Sequence, residues 1–194
     1  MIFHIGPTHS QTVGIFFLPT PAKGICLATI VEGMLPESFL IRHAIYMQTC
    51  AHIELAAWEI VQLAEGFDPS NKNQVERFLK LKQRNYDLAD ALEKSASLFP
   101  NETGINVGNL AQEIKQGLVN RNLAAHGSWY FDQETETLRV EHYWKDHSSK
   151  TWMHIAEPIT FSLVEVAVEE ADAILRKLIK IRKELIEFKE NGKQ

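Results

Sequence analysis

The spacing of apolar residues predicts that most of this chain is helical. No Gly or Pro interrupts residues 37–65, where apolar side chains recur every three or four positions, and Pro36 suits the first turn of a helix. Gly66 and Pro69 then end the run. The same spacing predicts a second helix over about residues 73–98 and a third over about 107–125, with Pro100 and Gly104 between them.

A fourth predicted helix, which begins near Ser162, carries the most regular pattern. Ser162 and Glu165 have the spacing of a capping box, in which each side chain accepts a hydrogen bond from the other residue's backbone N–H. Two sets of apolar residues then repeat every seven positions: Val164, Ala171, Leu178 and Leu185, with Ala167, Ile174, Ile181 and Phe188. This narrow apolar seam needs a partner helix, from the same chain or from a second copy. Four long helices around one core predict an antiparallel four-helix bundle.

The pattern changes to a β-type period after the third helix. Runs rich in aromatic and β-branched residues, at 129–131, 137–144 and 151–155, are separated by polar turns, which predicts a small antiparallel meander inserted at about 129–156. Residues 1–35 hold short apolar runs separated by Pro19, Pro21 and Gly24, and they predict a β ribbon or an extended arm packed on the domain. The helical domain therefore spans residues 36–194.

Length, net charge and cysteine content limit the kinds of protein that this chain can be. A chain of 194 residues is one domain by the usual size range, and its net charge is -5. Proteins that bind nucleic acid by bulk attraction are usually basic, so any RNA contact must come from a local patch. Cys26 and Cys50 fit neither a disulfide framework nor a zinc pattern, and charge, Pro or Gly breaks every long apolar run. We therefore expect a cytoplasmic protein without a membrane span.

The segment from Arg121 to His126 carries residues suited to chemistry. At 100° per residue Arg121 falls within the apolar stripe of the third helix, where a guanidinium is costly unless it is paired or faces a cleft. His126 follows five positions later, and Gly127 is a natural helix terminator. Histidine can transfer a proton to or from a ribose hydroxyl, and arginine binds phosphate oxygens. We expect both in one cleft, with Arg121 stabilising a phosphate, His126 acting as acid or base, and Asn122 orienting them.

The run RNLAAH at 121–126 resembles the motif of the HEPN superfamily, an arginine followed by a polar residue (Asn, Asp or His) and then by a histidine, with four to six residues between the arginine and the histidine. The resemblance implies a helical bundle with the motif near the end of a late helix. It implies a metal-independent endoribonuclease of toxin or defence type, without a cofactor, that cleaves RNA by transesterification at the 2′-hydroxyl. It also implies a homodimer whose two motifs line one cleft, and in many members a nucleotidyltransferase-like antitoxin.

An alternative interpretation of the same residues is structural. Arg121 would pair with a carboxylate of the first helix, Glu54 or Glu59, and His126 would occupy the helix C-terminus because a cation favours the negative end of the helix dipole. The chain would then be a non-catalytic helical module that dimerises or binds a partner protein.

Other polar and aromatic residues are weaker candidates. Arg176, Lys177 and Lys180 crowd the second half of the last helix, where they would follow an RNA backbone or form a solvated face favoured by the helix dipole. His43 and His52 lie at spacings that do not make a one-turn ligand pair, so we expect no metal site. Packing is the expected role of the aromatic residues in the meander, and stacking on bases is the alternative. These residues are Trp129, Tyr130, Tyr143, Trp144 and Trp152, interleaved with His142, His147 and His154.

Overall fold

A computed structural model describes residues 34–145 and 150–191, which are mainly helical with one three-stranded antiparallel sheet. The helices are α1 (Glu37–Glu65), α2 (Lys72–Lys82), α3 (Asn85–Ser95), α4 (Asn101–His126) and α5 (Phe161–Asn191), with a 3-10 turn at Ala96–Leu98. The strands are β1 (Ser128–Asp132), β2 (Thr137–Lys145) and β3 (Trp152–Ile159). The predicted ribbon or arm falls on residues 1–35, of which 1–33 lie outside the described residues.

The core is built on the packing of α1 against α5. Ile60 and Val61 of α1 and Leu178 of α5 have no exposed surface. The predicted seam of the last helix therefore finds its partner within the same chain, and its residues Ala171, Ile181 and Leu185 are also buried, whereas Phe188 is exposed. α1 ends at Gly66 as predicted, because this residue adopts a left-handed conformation (φ 67°, ψ 56°) and its N–H bonds to the carbonyl of Gln62.

The single helix predicted over residues 73–98 is two helices, so that prediction was wrong. Gln83 and Arg84 separate α2 from α3, and Arg84 is extended, with φ -136° and ψ 100°. No Gly or Pro marks this break. Phe78 is buried before it and Leu88 after it, but none of the side chains between them is buried. Because tertiary packing supplies most helix stability, a run without buried side chains is where the helix breaks.

Gly104 does not separate two helices, as its sequence position suggested, but lies in the first turn of α4. Its N–H bonds to the carbonyl of Pro100 at 2.8 Å. A Cβ on this residue would lie 2.6 Å from the carbonyl oxygen of Ala96 in the 3-10 turn. The glycine is therefore a point of close backbone approach and not a helix stop.

The predicted capping box at the start of α5 is also wrong. Thr160 caps the helix, because its hydroxyl accepts a hydrogen bond from the N–H of Leu163 at 3.3 Å. Glu165 instead pairs with Nε of Arg42 on α1 at 2.7 Å. The ring of Phe161 packs against Phe131 of β1, with centroids 6.4 Å apart, and this contact holds Phe161 at the first helical position.

The predicted meander is confirmed, with strand order β1-β2-β3 and antiparallel pairing throughout. Leu138 and Val140 of β2 are fully buried on the inner face of the sheet. Their partners Phe131 and Trp129 share that face, because paired residues of antiparallel strands point to the same side.

Aromatic packing fixes the sheet to the N-terminal half of α1 and the end of α4. The rings of Phe39 and Trp129 have centroids 5.0 Å apart. His43 lies 5.9 Å from the Trp129 ring, and its Nε2 bonds to the carbonyl oxygen of Ala124 at 2.9 Å. These contacts place the last turn of α4 beside the sheet. None of the helices in the described ranges combines the length and apolar character that crossing a bilayer requires.

Two glycines of α4 give a matched test of the close approach at Gly104. Gly104→Ala should lower the free energy of unfolding by about 1–3 kcal/mol, because backbone must move to admit the methyl group. Gly117→Ala in the same helix should raise it by about 0.5–1 kcal/mol, because no atom lies within 4 Å of the added Cβ and alanine favours the helix. Urea denaturation measures both. Equal effects of the two substitutions would contradict the close approach.

Candidate active site

The motif residues occupy the C-terminal end of α4, where the helix meets the sheet. His126 is the last helical residue, and the N–H of Gly127 bonds to the carbonyl of Leu123 at 2.8 Å. Gly127 ends the helix as predicted, in an extended conformation (φ -72°, ψ 144°). A Cβ at Gly127 would lie 2.6 Å from Cγ2 of Val140, so glycine lets β2 pass close to the helix end.

Arg121 lies in a half-buried polar network that joins three helices. Its Nε donates to Oε1 of Glu54 on α1 at 3.0 Å, and the same oxygen accepts from Nδ2 of Asn85 on α3 at 2.9 Å. Nη1 of Arg121 donates to Oδ1 of Asn122 at 3.3 Å. The side chains of Arg121 and Glu54 are 23% and 27% exposed. Glu54 is thus the partner in the structural alternative for Arg121, and Asn85 is a member that the sequence did not indicate.

A small cavity of about 70 Å³ lies beside this network. Tyr46 and Cys50 of α1 line it together with Arg121. Burial raises the pKa of the Cys50 thiol, and burial likewise raises the pKa of the Tyr46 hydroxyl above its usual range. Both groups are therefore neutral at physiological pH, and Cys50 lacks the thiolate character of a nucleophile.

His126 contacts the sheet and not the Arg121 network. It is exposed, and its ring centroid lies 6.2 Å from that of His142 on β2, with the ring planes inclined by 23°. The ring of His142 is in turn 5.5 Å from that of Trp144, at 12°. His142 was noted in the sequence only as a residue of the meander. The alternation along β2 could have indicated it, since His142 shares the inner face with Leu138 and Val140.

Within one chain Arg121 and His126 do not form a single cluster. Five helical positions correspond to a rotation of about 140° and a rise of about 7.5 Å. Arg121 contacts α1 and α3, whereas His126 contacts β2. Among the described residues no hydrogen bond or ion pair joins the two side chains.

The three predicted RNA-backbone contacts on α5 are exposed, and each lies beside a carboxylate. Nε of Arg176 is 2.6 Å from Asp172, and Nζ of Lys177 is 2.7 Å from Glu113 on α4. Nζ of Lys180 is 3.9 Å from Glu184. These acids offset much of the positive charge, which favours the solvated charged face over an RNA track.

The remaining polar candidates lie in separate environments. His43 bonds to the carbonyl of Ala124, Glu59 lies 2.6 Å from Nε of Arg182, and His52 is exposed. In the part of the chain that the structure describes, no group of three or more His, Cys, Asp or Glu side chains is placed to hold a metal ion.

The aromatic residues of the meander differ in how far they are exposed. Trp129 packs against Phe39 as expected. Tyr143 and Trp152 do not pack as expected, since they are 61% and 74% exposed. Both lie on the outer face, where β2 and β3 continue beyond the end of β1.

Comparison with known proteins identified no relative of this chain. The chain shows no significant match to a protein-family model, to a curated protein or to a solved structure. The resemblance of residues 121–126 to the HEPN motif therefore stays a prediction that depends on the motif itself.

The network around Arg121 should contribute to stability. Glu54→Ala removes the acceptor shared by Arg121 and Asn85, and it should lower the free energy of unfolding by about 1–3 kcal/mol. Glu113→Ala removes the exposed partner of Lys177 and should change the free energy of unfolding by less than about 0.5 kcal/mol. Urea denaturation of the two variants makes the comparison, and a Glu54→Ala variant as stable as Glu113→Ala would show that the network is not structural.

Proposed function

We propose that this chain is a metal-independent endoribonuclease of the HEPN type, with a helical bundle of that type as its scaffold. The observation that supports the proposal is the pair of imidazoles at the end of α4, His126 and His142, whose ring centroids are 6.2 Å apart. His126 is exposed and therefore open to a substrate as large as RNA. Two histidines can supply both proton transfers of phosphodiester cleavage without a metal.

The two imidazoles would divide the proton transfers between them. One accepts the proton of the ribose 2′-hydroxyl, whose oxygen attacks the phosphorus, and the other donates a proton to the leaving 5′ oxygen. The products are a 2′,3′-cyclic phosphate and a 5′-hydroxyl. Each transfer needs heavy atoms about 2.6–3.2 Å apart, so the scissile phosphodiester would have to lie within hydrogen-bond reach of both imidazoles.

Arg121 would stabilise the phosphate, with Asn122 orienting its guanidinium. Glu54 engages Nε of Arg121 and Asn122 accepts a hydrogen bond from Nη1, which leaves Nη2 as the nitrogen that would bind a phosphate. Arg121 and His126 of one copy contact different elements. One active site would therefore contain Arg121 from one copy of the chain and His126 from a second copy. We therefore also propose that the chain forms a symmetric homodimer. A nucleotidyltransferase-like antitoxin is the protein partner that would counteract the ribonuclease.

A second candidate function is a non-catalytic helical interaction module. The observation that favours it is the network of Arg121, Glu54 and Asn85, which uses the motif arginine as a structural residue. The two candidates differ in whether RNA is cleaved. An antitoxin-like nucleotidyltransferase encoded next to this chain would favour the ribonuclease.

Cleavage of total RNA by the purified protein should continue with a chelator present and should leave cyclic phosphate ends. His126→Ala and His142→Ala should each lower the rate by at least about a hundredfold, since each removes a proton-transfer group. Arg121→Ala should cost a similar factor, because the transition-state charge loses a donor. DNA should not be cut, because it lacks the 2′-hydroxyl.

The control is Lys80→Ala, which changes an exposed side chain on α2. This variant should cleave at the wild-type rate, and circular dichroism should show that all variants keep their helical content. Activity that requires added metal, or that persists in both histidine variants, would remove the ribonuclease proposal in favour of the interaction module.

The surface that would pair two copies is an exposed stripe on α1. The α5 seam, which could have paired with a second copy, is largely buried within the chain. On α1, Ile41, Ile45 and Leu55 are exposed at heptad spacing. Ala44 and Ala51 beside them are also exposed and would let a second helix approach closely. A two-fold dimer pairs such a stripe with itself.

The dimer proposal is tested by charge in this stripe. Wild-type protein should be dimeric in light scattering at tens of micromolar, about the range where stable homodimers persist. Ile41→Lys/Ile45→Lys should be monomeric, because two lysines would face two lysines across the two-fold axis. Ile105→Lys, at an exposed apolar residue near the start of α4, should stay dimeric. A monomeric wild type, or a dimeric double variant, would show that α1 is not the interface.

A further inference from the structure

The sheet ends in a two-stranded extension, here called the β2–β3 tongue and defined as residues 142–145 and 152–155. β1 pairs with β2 only as far as Ser128 opposite Glu141. β2 and β3 continue to pair beyond that point, from His142 opposite Ile155 to Lys145 opposite Trp152. Tyr143 and Trp152 on the outer face of the tongue are exposed, so the described helices do not cover that face.

The outer face of the tongue carries exposed aromatic rings, two of which stack on each other. Tyr143 and His154 are cross-strand partners whose ring centroids lie 4.1 Å apart with planes inclined by 13°. Trp152 lies on the same face and is the most exposed large apolar side chain of the described residues, at 74%. Exposed rings on one face of a strand pair form a surface on which a ligand can stack.

The charge of the tongue differs from that of the whole chain. Lys145 belongs to it, and Lys150 lies next to its β3 end and is exposed. In residues 142–145 and 150–155 there is no carboxylate, and Asp146 is the acidic residue of the connecting segment. The chain as a whole has a net charge of -5. Positive charge beside exposed rings is the combination that binds unpaired nucleotides, through phosphate and base together.

The tongue is continuous with the candidate active site. On its inner face Trp144 lies 5.5 Å from His142, which lies 6.2 Å from His126. Because the exposed rings lie on the outer face, a strand of nucleic acid held there would reach the histidine pair around the edge of β2, which β1 does not pair beyond Glu141.

We propose that the β2–β3 tongue binds single-stranded RNA, with bases stacked on Trp152 and Tyr143 and a phosphate contacted by Lys145. Flat rings accept any base, so binding depends on strand state more than on sequence. Duplex RNA binds more weakly, because its bases are already stacked within the helix. This inference rests on the proposed function, since the RNA is the substrate of the His126 site.

Binding is measured by fluorescence anisotropy with a labelled 2′-O-methyl RNA of about twelve nucleotides, a length within the range that single-strand binding folds cover. This RNA lacks the hydroxyl needed for cleavage, so binding is read independently of catalysis. Trp152→Ala/Tyr143→Ala should weaken binding at least about tenfold. Trp152→Phe keeps a ring and should retain most of the affinity. Lys145→Gln should reduce the slope of log affinity against log salt by about one.

The matched control is Phe188→Ala, which removes a 62% exposed aromatic ring from the end of α5. It should bind the RNA as the wild type does. Trp152 and Tyr143 are exposed, so the double variant should keep its urea midpoint, and this measurement separates lost binding from lost folding.

Three results would overturn the inference: a wild type that does not bind the RNA, a double variant that binds it equally well, or duplex that binds as tightly as single strand. A double variant that binds RNA normally but changes oligomeric state would assign the tongue to protein contact. If Trp152 and Tyr143 bind the 2′-O-methyl RNA but natural RNA is not cleaved, the ribonuclease proposal is wrong and this inference stands. If His126-dependent cleavage continues with unchanged KM in the double variant, this inference fails alone.

Discussion

The packing of α1 against α5 is the interaction on which the rest of this fold depends. The buried face of α1, at Ile60 and Val61, closes the core against α5. Other turns of the same helix hold the candidate site, because Glu54 binds Arg121 and His43 bonds to the carbonyl of Ala124. The sheet also docks on α1, through Phe39. A shift of α1 relative to α5 would therefore move the motif helix and the sheet together.

Features that depend on local periodicity could be predicted from the sequence. The long α1 and α5, the seven-residue seam and the three strands all follow from spacing, because one buried face enforces the period. The break at Arg84 could not be predicted, since it depends on which side chains find the core and not on a Gly or Pro. The role of Gly104 could not be predicted either, because it depends on a tertiary neighbour. Whether a glycine ends a helix or admits a neighbour depends on where that neighbour lies, here the carbonyl of Ala96.

The candidate site was predicted in part. Spacing placed Arg121 in an apolar stripe and His126 at the helix end, and Glu54 was one of two carboxylates considered as a partner. Asn85 could not be identified, because the α3 residue joins the network only after the unpredicted break. His142 was not assigned a role. Alternation along β2 places it on the inner face, but no short-range pattern specifies which inner-face residue lies beside a helix end. That position follows from the close passage of β2 at Gly127, a tertiary contact.

The placement of α1 and α5 at opposite ends of the described chain has a consequence for how the protein is made. A ribosome releases α1 long before α5, because about a hundred residues separate Glu65 from Phe161. Until α5 emerges, the part of α1 that packs against α5 has no partner and is open to chaperones or to other nascent chains. The hairpins of the meander pair neighbouring residues and can form during synthesis. The core is therefore completed only when α5 has emerged from the ribosome, and this step closes the longest loop between packed helices.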